Sequence, residues 1–374
     1  MIDRRKLITA IIGISLFVML VGCGAKAPQP TADPSAPAGN NTHENSGPYV
    51  SITYGCNNPD NFTGRDMVFY TYDLTEKQLV KAGTIPFDAK YATGVVSKAA
   101  NTIYYARRLE PKTIAANDCL CAYDIASGVT TVLEAENFSY NEISLVDPET
   151  LLVMAVTQQH PIIPARFDLE SRTFTYISDA NAEPLSRYTN GDSLLHYDYN
   201  TGTFVSVFQN EAEKYSSDYR SFQAEIGTYI AVVSNNLIKD EDKIFKIDLR
   251  LGSFIDDAVQ LSENQLLVER TDDRWDDETE DIVSDRIFYL LTFEGNGTAT
   301  LKQTEAPFPL EGVRRHGYGT PDGGKTWFLI LGEKAARAGG LYVYSTETEE
   351  LAPVLLNDPD NEGYVINFSF IGPQ

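Results

Sequence analysis

The sequence has few basic residues, few sulfur-containing residues and only two tryptophans. Its 374 residues include 30 Lys and Arg against 53 Asp and Glu, so the formal net charge is −23. Proteins that bind nucleic acids irrespective of sequence need Lys and Arg to neutralise phosphates, so this acidity excludes that class of partner. Apolar residues make up 43% of the chain. A wholly disordered protein is therefore excluded, because such chains lack the apolar content to build a core.

Sequence motifs of common catalytic and metal sites are also missing. The four His and four Cys form no H-E-x-x-H motif and no four-ligand zinc pattern, and no G-x-S-x-G nucleophile elbow is present. We therefore expect no catalytic residue, no cofactor, and a binding protein rather than an enzyme. Cys119 and Cys121, two residues apart on a predicted strand, are expected to point to opposite faces. Cys56 then pairs with one of them, or all three are buried thiols.

The N-terminus carries a charged segment and then an apolar one. Three basic residues, Arg4 to Lys6, precede a 14-residue apolar run from Leu7 to Leu20, which is shorter than a membrane-spanning helix of about 20 residues. The run ends in Leu20-Val21-Gly22-Cys23. This arrangement resembles the signal peptide and lipobox of bacterial lipoproteins. The resemblance implies that residues 1–22 are removed and that Cys23 receives a diacylglycerol.

The residues after Cys23 predict a tether. Residues 24–47 contain four Pro and no aliphatic side chain larger than Ala, a composition typical of flexible or polyproline-like linkers. We therefore predict a signal peptide at 1–22, a lipid-anchored tether at 23–47 and a folded domain at 48–374. The protein is expected on the extracytoplasmic face of the cell membrane, held there by its lipid.

The rest of the chain has an all-β pattern. Short runs rich in Val, Ile, Tyr, Phe and Thr are broken by Gly, Asn, Asp and Pro, with no long stretch of helical periodicity. One unit recurs at intervals of 30 to 53 residues: an apolar residue, Asp, an apolar residue, a short polar turn and a second apolar run. Its copies centre on Asp73, Asp124, Asp168, Asp198 and Asp248, with weaker copies at Thr292 and Ser345.

Each copy predicts a β-hairpin, in which the Asp carboxylate accepts backbone N–H groups at the turn and a Gly supplies a positive φ. A spacing near 45 residues is typical of four-stranded propeller blades. The copies, with the segment from Thr320 to Lys325 (TPDGGK), resemble the TolB-like and WD-repeat-like propellers. We predict a β-propeller with seven blades, leaving six or eight open. A pair of β-sandwiches or a β-helix is the alternative architecture.

Two alternating segments near the ends of the folded domain predict how a ring would close. Apolar and polar residues alternate over 49–54 and again over 364–370, as they do in half-buried strands. We expect both segments to lie in one closing blade, because a closed ring leaves no exposed sheet edge.

The most unusual segment is acidic and lies between two predicted strands. Residues 269–285 hold nine carboxylates against two Arg and surround Trp275. We predict a surface loop at 270–281 that acts as a recognition element, because Trp is enriched at binding hot spots. A weak Ca²⁺ site and a merely solvated loop are the alternatives. The candidate binding residues are Asp272, Asp273, Trp275, Asp276 and Asp277.

Together these features predict a lipid-anchored propeller that acts as a binding or scaffold module for a protein, peptide or glycan. The alternative is a cell-envelope hydrolase or lyase acting on polysaccharide at one propeller face. Carboxylates and a His converging in the central funnel would favour the alternative.

Overall fold

The computed structural model describes residues 47–110, 116–157, 163–176, 193–199, 202–209, 226–234, 244–249, 253–276, 281–294, 298–318, 326–334 and 337–373. These residues are almost entirely β-strand, with a 3₁₀ turn at Pro359–Asn361. Within these ranges no helix has the length and apolarity needed to cross a membrane. Cys23 and the predicted signal peptide lie outside the described residues.

The described strands form six four-stranded antiparallel sheets, here called blades 1 to 6. Blade 1 pairs, in order, β24 (Tyr364–Ile371), β1 (Tyr49–Asn57), β2 (Arg65–Asp73) and β3 (Leu79–Pro86). Blade 2 pairs β4 (Gly94–Ser97), β5 (Thr102–Arg108), β6 (Asp118–Asp124) and β7 (Thr130–Asn137). Blade 3 pairs β8 (Ser139–Asp147), β9 (Thr150–Val156), β10 (Ile163–Asp168) and β11 (Thr173–Tyr176).

The second half of the chain repeats this arrangement. Blade 4 pairs β12 (Ser193–Asp198), β13 (Thr203–Gln209), β14 (Ile226–Ser234) and β15 (Ile244–Leu249). Blade 5 pairs β16 (Ser253–Ser262), β17 (Gln265–Asp276), β18 (Asp281–Glu294) and β19 (Thr298–Thr304). Blade 6 pairs β20 (Val313–Tyr318), β21 (Thr326–Leu331), β22 (Gly340–Ser345) and β23 (Leu351–Leu356).

Consecutive blades pack face to face around a central channel, and this makes the fold a β-propeller. Phe69 of blade 1 and Ile103 of blade 2 share one buried cluster, and Leu267 of blade 5 and Trp327 of blade 6 share another. Burial of each such side chain stabilises the fold by roughly 1.5–3 kcal/mol. The apolar positions that alternate along the strands therefore form the contacts between blades.

The predicted closure of the ring by the two chain ends is confirmed. β1 pairs with β24, with Val50 opposite Phe370 and Ile52 opposite Phe368. All four side chains are buried and belong to a cluster that includes Phe328 of blade 6. The last strand therefore joins blade 1 to blade 6 as well as completing blade 1.

The prediction of seven blades is wrong, because two of the seven repeats fall in one sheet. In blades 1, 2, 3, 5 and 6 the repeat lies at the end of the third strand. In blade 4 Asp198 ends the first strand, β12, and Asp248 lies in the fourth strand, β15. The seven copies of the repeat therefore correspond to six blades among the described strands.

The predicted chemistry of the repeat turns is confirmed. Asp124 Oδ1 accepts hydrogen bonds from Ser127 N at 2.6 Å and Ser127 Oγ at 2.7 Å, and Asp168 makes the same two contacts with Ser171. Hydrogen bonds from Ser127 lower the pKa of Asp124 below its usual range. Four residues after the first of these Asp residues, Gly128 adopts the predicted positive φ, of 71°.

The prediction that the two thiols of blade 2 point to opposite faces is wrong. Cys119 and Cys121 are both buried and their Sγ atoms lie 3.7 Å apart. Residues two apart on a strand share a face, because successive side chains alternate. Together with the half-buried Cys56, both are free thiols.

The ring has two distinct ends. We call the end at which the innermost strands β4, β8, β16, β20 and β24 begin the front end. The opposite end carries the turns after Asp73, Asp124 and Asp168, and we call it the back end. Because strands within each blade are antiparallel, loops between second and third strands also lie at the front end.

Candidate binding cavity in the central channel

A cavity of about 230 Å³ lies in the central channel and is lined by the innermost strands of five blades. The charged lining residues come from blades 3, 5 and 6: Glu142, Asp257, Glu269, Arg286, Arg314 and Arg315. Tyr197, Phe368 and Phe370 sit late on their strands and form an aromatic floor. Gly317 lets the Phe368 ring pack directly against the backbone of β20, because a Cβ at Gly317 would lie 2.7 Å from that ring.

Glu269 is the centre of a buried network between blades 5 and 6. Its side chain is 5% exposed. Arg286 donates from Nε to Oε1 and, at 2.8 Å, from Nη2 to Oε2. The third guanidinium nitrogen, Nη1, donates to Val313 O at 3.0 Å, so every nitrogen of Arg286 has a partner. This bidentate pair connects the second and third strands of blade 5 to the first strand of blade 6.

His316 brings a third group to the same carboxylate. Its Nε2 lies 2.6 Å from Glu269 Oε2 and 3.8 Å from Asp257 Oδ2. Asp257 and Glu269 are direct cross-strand neighbours, a placement in which like charges repel. The imidazole therefore lies between two facing carboxylates. Its other nitrogen, Nδ1, is buried and has no hydrogen-bond partner among the described residues.

Aromatic rings hold His316 in place. The ring centroids of Phe308 and Trp327 lie 4.8 and 5.8 Å from that of the imidazole. His316 is 3% exposed, so it contacts the cavity without being displayed to bulk solvent.

A second ion pair crosses the channel. Arg315 Nη2 donates to Glu142 Oε1 at 2.9 Å. Arg315 belongs to blade 6 and Glu142 to blade 3, which are separated by two blades in either direction around the ring. The pair therefore spans the channel and forms part of the cavity wall.

The cavity holds its titratable groups in defined states. Burial raises the pKa of Glu269, but hydrogen bonds from His316 and Arg286 outweigh it and leave the pKa below its usual value. The carboxylate is therefore ionised at neutral pH. Burial, with the nearby charges of Asp147 and Asp198, raises the pKa of Tyr197 to about 12, so its hydroxyl remains a hydrogen-bond donor.

The structure places the predicted acidic loop in a strand. Asp272, Asp273, Trp275 and Asp276 continue β17, and Asp277 lies outside the described residues. Their backbone pairs with β18, which sets Asp272 opposite Asp285 and Asp276 opposite Asp281. The prediction of a loop was wrong for residues 270–276. No Gly or Pro interrupts the residues from Leu266 to Asp276, so the strand continues through them. Their role in recognition stays a prediction.

The cavity residues were not recognised from the sequence, apart from Glu269, which opens the acidic segment. Arg314-Arg315-His316 was the available signal: three adjacent basic side chains in a strand of a strongly acidic chain. This Arg-Arg-His run matches no catalytic or metal-binding sequence motif. Among the residues with described positions, no cluster of three His, Cys, Asp or Glu is arranged to hold a metal ion.

No known protein family matches the chain, and no curated protein resembles it in sequence. Solved structures do match its fold. TolB from Acinetobacter baumannii aligns at a TM-score of 0.46 and 12% identity, over 87% of this chain and 67% of that one. An oligogalacturonate lyase in complex with manganese aligns at 0.43 and 12%, over 82% and 79%. The β-propeller domain of the Trilobed protease from Pyrococcus furiosus aligns at 0.43 and 11%, over 83% and 84%. These likenesses concern the fold alone.

Proposed function

We propose that the chain is a lipid-anchored, extracytoplasmic propeller that binds a protein, peptide or glycan by taking one residue of it into the channel cavity. The observation that carries the proposal is the cavity, where charged groups from several blades converge above an aromatic floor. A concave site with a few convergent polar groups is the usual form of a ligand site. Arg314 is exposed near the start of β20, which supports entry from the front end.

The attachment point of the predicted tether supports the same orientation. The described chain begins at Gly47, and Pro48 O accepts a hydrogen bond from Leu74 N, beside the turn after Asp73. That turn belongs to the back end. The described chain therefore begins at the back end, on the opposite side of the ring from the front end.

Exposed apolar side chains favour the front end as the contact surface. Of the eleven large apolar side chains exposed among the described residues, seven lie there, on loops or at strand ends: Phe62, Tyr91, Leu109, Phe138, Leu310, Leu356 and Tyr364. Among the described residues, the front end is therefore the more apolar of the two ends of the ring. Lys90 Nζ lies 4.1 Å above the Phe138 ring and adds a cation to this surface.

Glycan and peptide arrays probed with the full chain in detergent test the proposal. Ser369→Trp would place an indole inside the cavity, whereas Lys302→Trp places it on the outermost strand of blade 5. We expect wild type and Lys302→Trp to bind the same array features and Ser369→Trp to lose them at least 10-fold. Absence of any bound feature, or unchanged binding by Ser369→Trp, would refute the proposal.

A second candidate, a polysaccharide hydrolase or lyase, is favoured by one observation. Asp257, Glu269 and His316 converge in the central channel, and carboxylates beside a His are the groups that acid–base cleavage of a polysaccharide requires. Bound glycans incubated with the protein and analysed by mass spectrometry would distinguish the candidates. An enzyme releases shorter products, and His316→Gln would abolish this release while array binding persists.

A further inference from the structure

We infer that the group entering the channel cavity is a carboxylate, held by Arg314 and Arg315. This inference rests on the proposed function and deepens it by naming the chemistry of the ligand. Groups that are already paired within the cavity are not available to a ligand, so the unpaired charges decide which ligand can bind.

The cavity leaves one guanidinium without an ionic partner. Arg286 is fully engaged by Glu269 and Val313 O. Among the described residues, Arg315 makes one hydrogen bond, to Glu142, and a guanidinium has five N–H donors. Arg314 forms no ion pair with any residue that the structure describes. Two adjacent guanidinium groups therefore retain donors that can reach a ligand.

A β-bulge brings these two side chains to the same cavity. Neighbours on a regular strand point to opposite faces, yet Arg314 and Arg315 both line the cavity. The pairing of β20 with β21 shifts between Val313, opposite Leu331, and Arg315, opposite Ile330, so Arg314 is the extra residue. Bulges of this kind redirect a side chain. Gly332 leaves room for it, since a Cβ there would lie 3.1 Å from Arg314 Nε.

Hydroxyl groups complete a site for an anion of modest size. Ser144, Ser369 and Tyr197 line the cavity and can donate hydrogen bonds to ligand oxygens. The volume of about 230 Å³ equals roughly eight water molecules at about 30 Å³ each. It admits a single carboxylate-bearing sugar ring or amino-acid residue and excludes a longer segment.

Charge balance favours a carboxylate over a doubly charged phosphate. The lining carries three guanidinium groups against the carboxylates of Glu142, Asp257 and Glu269. Arg286 and Arg315 are paired with Glu269 and Glu142, and Asp257 lies 3.8 Å from His316 Nε2, so Arg314 is the guanidinium left to meet a single negative charge. Arginine also matches the planar carboxylate with two parallel hydrogen bonds. A dianion would add charge beside Asp257 with no further cation to offset it.

The test compares acids with their uncharged counterparts on the full chain in detergent. Glucuronate and N-acetylglycine are titrated against glucose and N-acetylglycinamide, with inorganic phosphate as a further probe, at constant ionic strength. Binding is measured as the rise in melting temperature. Arg314→Gln and Arg315→Gln are compared with Arg172→Gln, an equal charge change at the back end.

We expect at least one acid to bind wild type and Arg172→Gln at least 10-fold more tightly than its uncharged counterpart, and Arg314→Gln and Arg315→Gln to lose this difference. A response to glucuronate identifies a sugar acid as the source, and one to N-acetylglycine identifies a peptide carboxylate. Equal binding of acid and uncharged probe overturns the inference while the cavity remains a binding site. Tighter binding of phosphate, or no response to either acid, also overturns it. The proposed function fails separately, if the arrays detect no cavity-dependent binding.

Discussion

Glu269 connects strands of two blades through one buried carboxylate. Replacing it by Gln removes the charge that Arg286 and His316 face and leaves the guanidinium beside a neutral amide. Removing one partner of a buried ion pair typically costs about 3–5 kcal/mol. We expect Glu269→Gln to lower the free energy of unfolding, measured in urea, by about 3 kcal/mol.

Glu311→Gln is the matched control. Glu311 lies 3.7 Å from Lys334 with its side chain 74% exposed, and such surface pairs contribute about 0–1 kcal/mol. An equal effect of the two substitutions would contradict the role assigned to Glu269.

The lowered pKa of Glu269 predicts how this contribution varies with pH. Between its folded pKa and the ordinary value of 4.5, the unfolded chain binds a proton that the folded chain does not. The stabilisation is therefore complete above the ordinary value and is lost as the pH falls through the folded pKa. Urea unfolding from about pH 6 to pH 3 should show the gap between wild type and Glu269→Gln narrowing only below about pH 4.5. A gap that widens on acidification would contradict the lowered pKa.

At the scale of elements, β24 joins the last described strand to the first, β1. Phe370 is 6% exposed and lies edge-on to Phe328, with ring centroids 5.3 Å apart. Truncation of a buried Phe to Ala typically costs 3–5 kcal/mol. We expect Phe370→Ala to lower the free energy of unfolding by about 3 kcal/mol in chemical denaturation. Leu356→Ala, on a side chain 44% exposed, should change it by less than about 1 kcal/mol. Equal losses would argue against closure by β24.

The β17–β18 hairpin carries the acidic residues predicted for recognition. The backbone of Asp276 pairs opposite that of Asp281, so both strands of the hairpin contribute acidic residues to this part of blade 5. Because carboxylates bind cations, we expect Ca²⁺ or a Lys-rich peptide to bind this hairpin and change the fluorescence of Trp275. Asp272→Asn with Asp276→Asn should abolish the change, whereas Asp60→Asn, in an exposed loop of blade 1, should not. If the fluorescence of Trp275 changes with neither Ca²⁺ nor the peptide, the recognition role is contradicted and the carboxylates serve only to keep the protein soluble.

The elements differ in how far the sequence predicted them. The alternation around Ile52 and Phe368 identified the closing strands through their side-chain period of two, although β1 is buried on both faces, with Ser51 and Thr53 each 2% exposed. The blade number was missed because Asp198 and Asp248 carry the same turn motif on different strands of one sheet. The cavity was missed because Arg314 lines it only through a bulge, and bulges depend on pairing with a distant strand.

At the scale of the whole molecule, the proposed attachment is through a lipid on Cys23. Two acyl chains hold a protein durably at a membrane where one does not, and the net charge of −23 offers no electrostatic substitute on an anionic surface. We expect Cys23→Ala to move the protein from the membrane fraction to the soluble fraction or to block its processing. Immunoblots of fractionated cells measure this, with Cys56→Ser as the control that should remain membrane-bound. Normal processing and membrane retention of Cys23→Ala would contradict the anchor.

The central claim is that the ligand enters the channel cavity, and a reversible plug tests it most directly. Ser369→Cys, in a Cys56→Ser background, is modified with a bulky thiosulfonate that forms a disulfide inside the cavity. Ser127→Cys carries the same group at the back end. Binding to the strongest array ligand is measured before modification, after it and after reduction. The account predicts that binding is lost on modification of Ser369→Cys and restored by reduction, with Ser127→Cys unaffected throughout. Undiminished binding by the modified Ser369→Cys protein would contradict it.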